Sequence, residues 1–130
     1  MTGPDPDEIP DAAAGFAPHP GLAFDATGAP FDPVYRDVFR NRAGAWSESE
    51  AVFVDGCRAR ERWRRAERFC VLELGFGLGV NFLATLAAWR ADPARCRALH
   101  FVSVEAHPLS REDLARGLAS LPDRGLADDI

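Results

Sequence analysis

The sequence predicts an α/β protein built on a parallel sheet, and three observations carry that prediction. Phe69 to Leu74 is a short apolar run with one acid, Glu73, near its end, which suits a buried parallel strand. Gly75, Gly77 and Gly79 then remove three side chains in five residues, so the backbone can turn sharply and approach a ligand closely. From Val80 the pattern turns helical, with Phe82, Leu83, Leu86, Ala87 and Trp89 at helix spacing, before a second apolar run, Leu99 to Val104, ends in Glu105. Strand, helix, strand is one crossover of a parallel sheet.

In chain order, Met1 to Pro20 holds five prolines among Asp, Ala and Gly. It cannot bury enough apolar surface to order itself and reads as a flexible arm. Leu22 and Phe24 before Asp25-Ala26-Thr27-Gly28 suggest one arm of a small hairpin. Phe31-Asp32-Pro33-Val34-Tyr35 predicts a short helix, with Asp32 as its cap, Pro33 in its first turn and Val34, Val38 and Phe39 on its apolar side. Arg40 to Gly44 is polar and turn-like. Ala51-Val52-Phe53-Val54 followed by Asp55-Gly56 predicts a short strand and a turn.

Arg58 to Arg68 carries six arginines against Glu61 and Glu67. Such a cluster can track nucleic-acid phosphates. The alternating charge also fits a solvated helix that packs on the sheet through Trp63 and Ala66, and this second reading is the preferred one. After the glycine loop the helix ends near Ala91, where Asp92-Pro93 breaks it. Pro108 to about Leu121 predicts another helix, with Ser110 near its start and Leu109, Leu114, Leu118 and Leu121 at roughly helical spacing. His107, alone in a strand-to-helix turn, reads as a surface residue rather than a base.

Composition narrows the class. The chain has 130 residues, the size of one small domain, and a net charge of −5, which does not advertise a polyanion partner. Every basic residue is arginine. No apolar run is long enough to span a bilayer, and the N-terminus carries no basic patch followed by an apolar core, so the expected location is the cytoplasm, away from membranes. Cys57, Cys70 and Cys96 are far apart and lack metal spacing; they read as reduced thiols, with Cys70 buried in the first strand and no metal site.

The chemistry of the loop can be read further. In the dinucleotide fingerprint Gly-x-Gly-x-x-Gly the third glycine would fall at position 80, which is Val80. Glu73 would oppose a pyrophosphate and suits a ligand with ammonium or hydroxyl groups. An acid at the end of the second strand, Glu105, can take both hydroxyls of an adenosine ribose. Glu-x-Gly-x-Gly-x-Gly with this spaced acid is the arrangement of S-adenosylmethionine (SAM) methyltransferases. The alternatives are an NAD(P)-dependent oxidoreductase fragment, disfavoured by Val80 and Glu73, and a non-catalytic truncated domain.

The stretch from Glu73 to Leu83 resembles the SAM loop of the MnmC-type methyltransferases, and Leu99 to Glu105 followed by Pro108-Leu109-Ser110-Arg111-Glu112-Asp113-Leu114 is similar to the same family. Phe31 to Tyr35 and Val52 to Gly56 resemble its upstream segments. Leu78 departs from the usual Thr, Cys57 from Asn, and Ala106-His107 from Lys-Phe. The resemblance implies a Rossmann-like SAM-dependent methyltransferase fold that methylates an aminomethyl group on the wobble uridine of tRNA. It further implies a FAD-dependent oxidoreductase, fused or separate, as partner. By this reading Glu73, Gly75, Phe76, Gly77, Gly79, Asn81 and Glu105 bind the cofactor, and no catalytic residue lies in this chain. A doubly wound sheet needs about five to seven strands. The expected organisation is therefore a flexible arm at 1–20, a family-specific segment at 21–68, and the first half of a truncated SAM-binding domain at 69–130, inactive alone.

Overall fold

A computed structural model describes residues 21–33, 36–38 and 44–119. The expected arm at 1–20 lies outside them, as do Val34, Tyr35, Phe39, residues 40–43 and the end of the last predicted helix. The architecture is mixed α/β with two small sheets.

The first sheet is antiparallel, in the order β1 (Ala23–Phe24), β2 (Pro30–Asp32), β3 (Asp37–Val38). The expected turn joins β1 to β2. Asp25 closes it, its Oδ1 accepting from the backbone N–H groups of Thr27 (2.8 Å) and Ala29 (2.9 Å) and from the Thr27 hydroxyl (2.6 Å). The helix predicted from Pro33, with Asp32 as its cap, is wrong where the described residues cover it: Val38, expected on its apolar side, lies in a strand opposite Phe31, which also pairs with Ala23. The Asp-Pro pair does have the look of a helix start, but pairing with the strand before the turn decides the backbone.

The predicted strand at Ala51–Val54 is also wrong. Helix α1 (Ala45–Ser49) runs directly into a π-helical segment, Glu50–Asp55, closed by a Gly56 N–H to Ala51 C=O bond of 2.9 Å. Helix α2 (Ala59–Trp63) follows. Burial explains the winding. The buried residues of this region are Ala45, Ser49, Val54, Ala59 and Trp63, spaced by four or five, whereas Val52 and Phe53 are exposed. An α-helix cannot keep five-residue steps on one face; the wider turn can. Gly56 permits it, since a Cβ there would lie 2.5 Å from the Val52 carbonyl oxygen.

Strand β4 (Arg68–Leu74), helix α3 (Val80–Ala91) and strand β5 (Ala98–Val104) form the expected crossover, with β4 and β5 parallel and Leu74 opposite Val104. Helix α4 (Arg111–Leu118) starts at Ser110, whose Oγ accepts from the Asp113 N–H at 3.1 Å. Two cores meet on α3. Leu83 packs with Leu22, Ala45, Leu78 and Leu118, and Ala88 packs with Val54, Ala59, Trp63 and Cys96. Both cores therefore draw on residues from either side of position 68.

One expectation about the sheet fails. β4 is not buried on both faces. Phe69, Val71 and Glu73 are half-buried on the side of α3, whereas Cys70, Leu72 and Leu74 are exposed, as are Val102 and Val104 beside them. Cys70 is thus an exposed thiol. Hydrophobicity alone predicts two covered faces, but among the described residues helices cover only one. No helix of the described residues is long and apolar enough to cross a membrane.

Candidate functional site

The crossover brings every predicted site residue to the ends of β4 and β5. Gly75, Gly77 and Gly79 adopt φ of +86°, +55° and +75°, a conformation that costs other residues steric strain. The loop hydrogen-bonds to the second strand through Gly75 N–H and Val104 C=O, 2.8 Å apart. A Cβ added at Gly75 would meet no atom within 4 Å, so the backbone there faces open space. Gly79 precedes α3 and offers no capping side chain, which leaves the first-turn N–H groups of the helix available.

The loop is braced by α4. Leu78 sits among the core leucines, and a Cβ at Gly117 would lie 2.4 Å from its Cδ2. The end of the Leu78 side chain thus occupies the space that a side chain at position 117 would need.

Two carboxylates flank the loop. Glu105 accepts from the Gly77 N–H at 3.1 Å and from the His107 N–H at 2.9 Å. Burial pushes its carboxyl up, but hydrogen bonds from the backbone N–H groups of His107, Gly77, Phe76 and Ala106 outweigh this and hold it below the usual carboxylate range. Glu73 is held differently. Its Oε1 accepts from Asn81 Nδ2 at 2.9 Å, while its Oε2 is buried and has no hydrogen-bond partner. Asn81 is in turn held by the Ser49 hydroxyl, 2.8 Å from Oδ1.

Two cavities open here. One of about 400 Å³ is bounded by Glu73, Asn81, Thr85, Phe53 and Arg62. The other, about 360 Å³, lies between Phe76, Phe82, Phe101, Ser103, Glu105 and Leu109, and the buried Ser103 Oγ on its wall also lacks a partner. Ser49 and Ser103 escaped sequence reading. Ser103 sits in an ordinary strand, and Ser49 lies 32 residues from Asn81 with no local motif to mark it. His107 contributes its backbone N–H to Glu105.

The arginine cluster is largely paired. Arg58 binds Glu61, Arg60 binds Glu50 at 2.7 Å, and Arg64 binds Asp92 at 2.8 Å. Arg62 lies over the Phe69 ring, 5.3 Å from its centroid. This agrees with the preferred reading of a solvated face, with three differences: the helix ends at Trp63 rather than running to Arg68, Glu67 reaches Arg97, outside the cluster, and Ala66 is exposed rather than packed. Trp63 does pack on the sheet, edge-on to Phe69 at 6.1 Å.

No family model matches the chain. Among curated proteins, the tRNA 5-methylaminomethyl-2-thiouridine biosynthesis bifunctional protein MnmC of Paraburkholderia phymatum is 49% identical over 107 residues, covering 82% of this chain and 16% of the relative. The protein of the same name from Burkholderia mallei is 50% identical over 100 residues, covering 77% of this chain and 15% of the relative. Among solved structures, the crystal structure of MNMC2 from Aquifex aeolicus matches with a TM-score of 0.54 and 26% identity, covering 69% of this chain and 30% of that one. These likenesses place the chain with the MnmC proteins, of whose length it spans about a sixth.

Proposed function

We propose that the chain holds SAM, as the first half of a Rossmann-like methyltransferase domain at 69–130 preceded by a family-specific segment at 21–68. The activity served is methyl transfer to the aminomethyl group of the modified wobble uridine in tRNA, in the cytoplasm. The observation that carries this reading is the pair of carboxylates around the glycine loop, one of which keeps a buried oxygen without a donor. A buried acceptor left unmade is costly, so a ligand that brings an N–H is favoured at Glu73. The ammonium of SAM fits that need. Glu105, fixed by backbone N–H groups and acceptor-only, fits ribose hydroxyls. Gly75, Phe76, Gly77 and Gly79 let the backbone approach, and Asn81 holds Glu73.

When bound, SAM supplies an electrophilic methyl group. The residues here bind and orient it. Transfer to an amine further demands alignment and a deprotonated nucleophile, and we assign no catalytic residue for that within this chain. The relatives' name, a bifunctional protein of tRNA thiouridine biosynthesis, supports tRNA as substrate and a second activity beside this one. A FAD-dependent oxidoreductase, fused or separate, fits that second role.

Titration calorimetry with SAM and with NADH tests the reading. SAM is expected to bind and NADH is not. Glu105→Ala is expected to weaken SAM about ten- to a hundredfold, the usual cost of removing a charged acceptor from paired hydroxyls. Unchanged affinity would remove the ribose assignment, and binding of NADH alone would favour an oxidoreductase.

A further inference from the structure

Among the side chains that the segment before β4 brings to the site is Ser49 of α1, which reaches the residue that holds Glu73. It is buried, 6% exposed, and its Oγ lies 2.8 Å from Asn81 Oδ1. The next link is Asn81 Nδ2 to Glu73 Oε1 at 2.9 Å. The chemistry of the three groups allows one arrangement. A carboxylate only accepts, so the amide must turn its NH₂ toward Glu73. The amide oxygen then faces Ser49, whose hydroxyl must donate. The Asn81 backbone is anchored independently, its carbonyl accepting from Thr85 Oγ at 2.7 Å. Rotation of the amide is therefore the freedom left, and Ser49 removes it.

Resting on the cofactor reading above, we infer that Ser49 is a positioning residue: through Asn81 it pins one oxygen of Glu73 and so presents the other to the ammonium at the methionine end of the ligand. The unpartnered oxygen is the one that Asn81 does not hold. Without the Ser49 hydroxyl, the amide oxygen of the half-buried Asn81 loses its donor, and a flipped amide would set that oxygen against the carboxylate. Glu73 would then lose its orientation, while Glu105 and the loop glycines, which Ser49 does not touch, would keep theirs.

The role predicts discrimination between two ligands. SAM carries the amino-acid end; methylthioadenosine keeps the adenosine and the thioether but lacks it. Calorimetry on the full chain should show Ser49→Ala weakening SAM about tenfold, the effect of one lost hydrogen bond to a charged group, with methylthioadenosine affinity unchanged within about twofold. Ser49→Thr keeps a donor and should restore most of the SAM affinity. Should Ser49→Ala not fold, judged by circular dichroism, Ser49→Cys serves instead: its thiol is a weak donor and should give an intermediate, SAM-selective loss. Equal loss of both ligands, or no loss of SAM affinity, overturns the role of Ser49. Failure of the unaltered chain to bind SAM overturns the cofactor reading itself, and with it this one.

Discussion

Asp92 and Glu73 sit at opposite ends of α3 and are treated in opposite ways. Asp92, just past the C-terminus, is 3% exposed and surrounded by donors: Trp63 Nε1 at 2.7 Å, Arg64 Nε at 2.8 Å and Nη2 at 3.1 Å, and the Ala94 N–H at 2.9 Å. It ties α2 to α3 and has no capacity left for a ligand. Glu73, beside the first turn, holds one donor and keeps one buried oxygen bare. Asp92, its four acceptor positions answered by side chains of α2 and its flank and by the loop that follows α3, is an architectural joint. A carboxylate left half-answered costs stability and is explained by what it awaits. The difference is visible only in the partners, because both are single acids beside apolar runs.

Breaking the joint should have the largest effect. Asp92→Asn is expected to lower Tm by about 10 °C or more at pH 7, since the amide keeps one acceptor oxygen and turns an NH₂ toward the other pair of donors, either Trp63 and Arg64 Nε or Arg64 Nη2 and the Ala94 N–H. The Arg64 guanidinium, then the Trp63 N–H, hold the Asp92 carboxyl well below the usual carboxylate range. Its folded value lies under its unfolded one, so its stabilisation is fully present above about pH 4 and is lost as pH falls through the folded value. The Tm gap between the two proteins should therefore narrow in acid. A gap independent of pH would mean that the Asp92 charge is not what holds the corner.

The loop end can be broken indirectly through Gly117. Its replacement by Ala would drive a methyl against Leu78, and overpacking of this kind costs about 1–3 kcal/mol. Because Leu78 belongs to the glycine loop, SAM affinity should fall together with stability. Loss of stability with intact affinity would show that α4 does not set the loop.

The sharpest contrast comes from Glu73→Gln. Neutralising a half-satisfied acid should leave Tm unchanged or raise it by a few degrees, while SAM affinity drops about tenfold or more. Asp92→Asn should do the reverse. If both variants lost stability alike, the distinction between joint and binding group would fall.

What the sequence made legible was local. Glycine spacing, two apolar runs and the leucine spacing around Ser110 are short-range signals, and β4, α3, β5 and α4 followed from them with shifts at their ends, the last helix starting after Ser110 rather than at Pro108. Where long-range contacts decide, reading failed. Val52-Phe53-Val54 has the composition of a strand, yet contacts of Val54 with Trp63 and Ala88 impose a π-turn. Phe31-Asp32-Pro33 carries a helix-start signature that hairpin pairing overrides. The seven residues expected from sequence do gather around the glycine loop, but Ser49, whose hydroxyl donates to one of them, Asn81, has a partner too distant in the chain to leave a pattern.

The smallest effect is expected on the uncovered face of the sheet, and it tests the half-domain reading. Leu72 is 69% and Leu74 82% exposed, with Val102 and Val104 alongside them. Adjacent apolar side chains on a two-stranded sheet are a contiguous patch of the kind that marks a covered surface or an aggregation risk. If the described residues are all that lies against this face, Leu72→Lys with Leu74→Thr removes no packing, and Tm should move by no more than a few degrees, within the range of surface substitutions. The doubled variant should also stay monodisperse at higher concentration in light scattering, because the patch is interrupted by charge. In a longer form carrying the rest of a doubly wound domain, helices would cover both faces, and the same pair should then cost several kcal/mol, as burying a charge without a partner does. Running the two melts side by side separates the cases. A large loss in the chain itself would show that this face is already packed, and equal tolerance in the longer form would show that the sheet is not completed on this side.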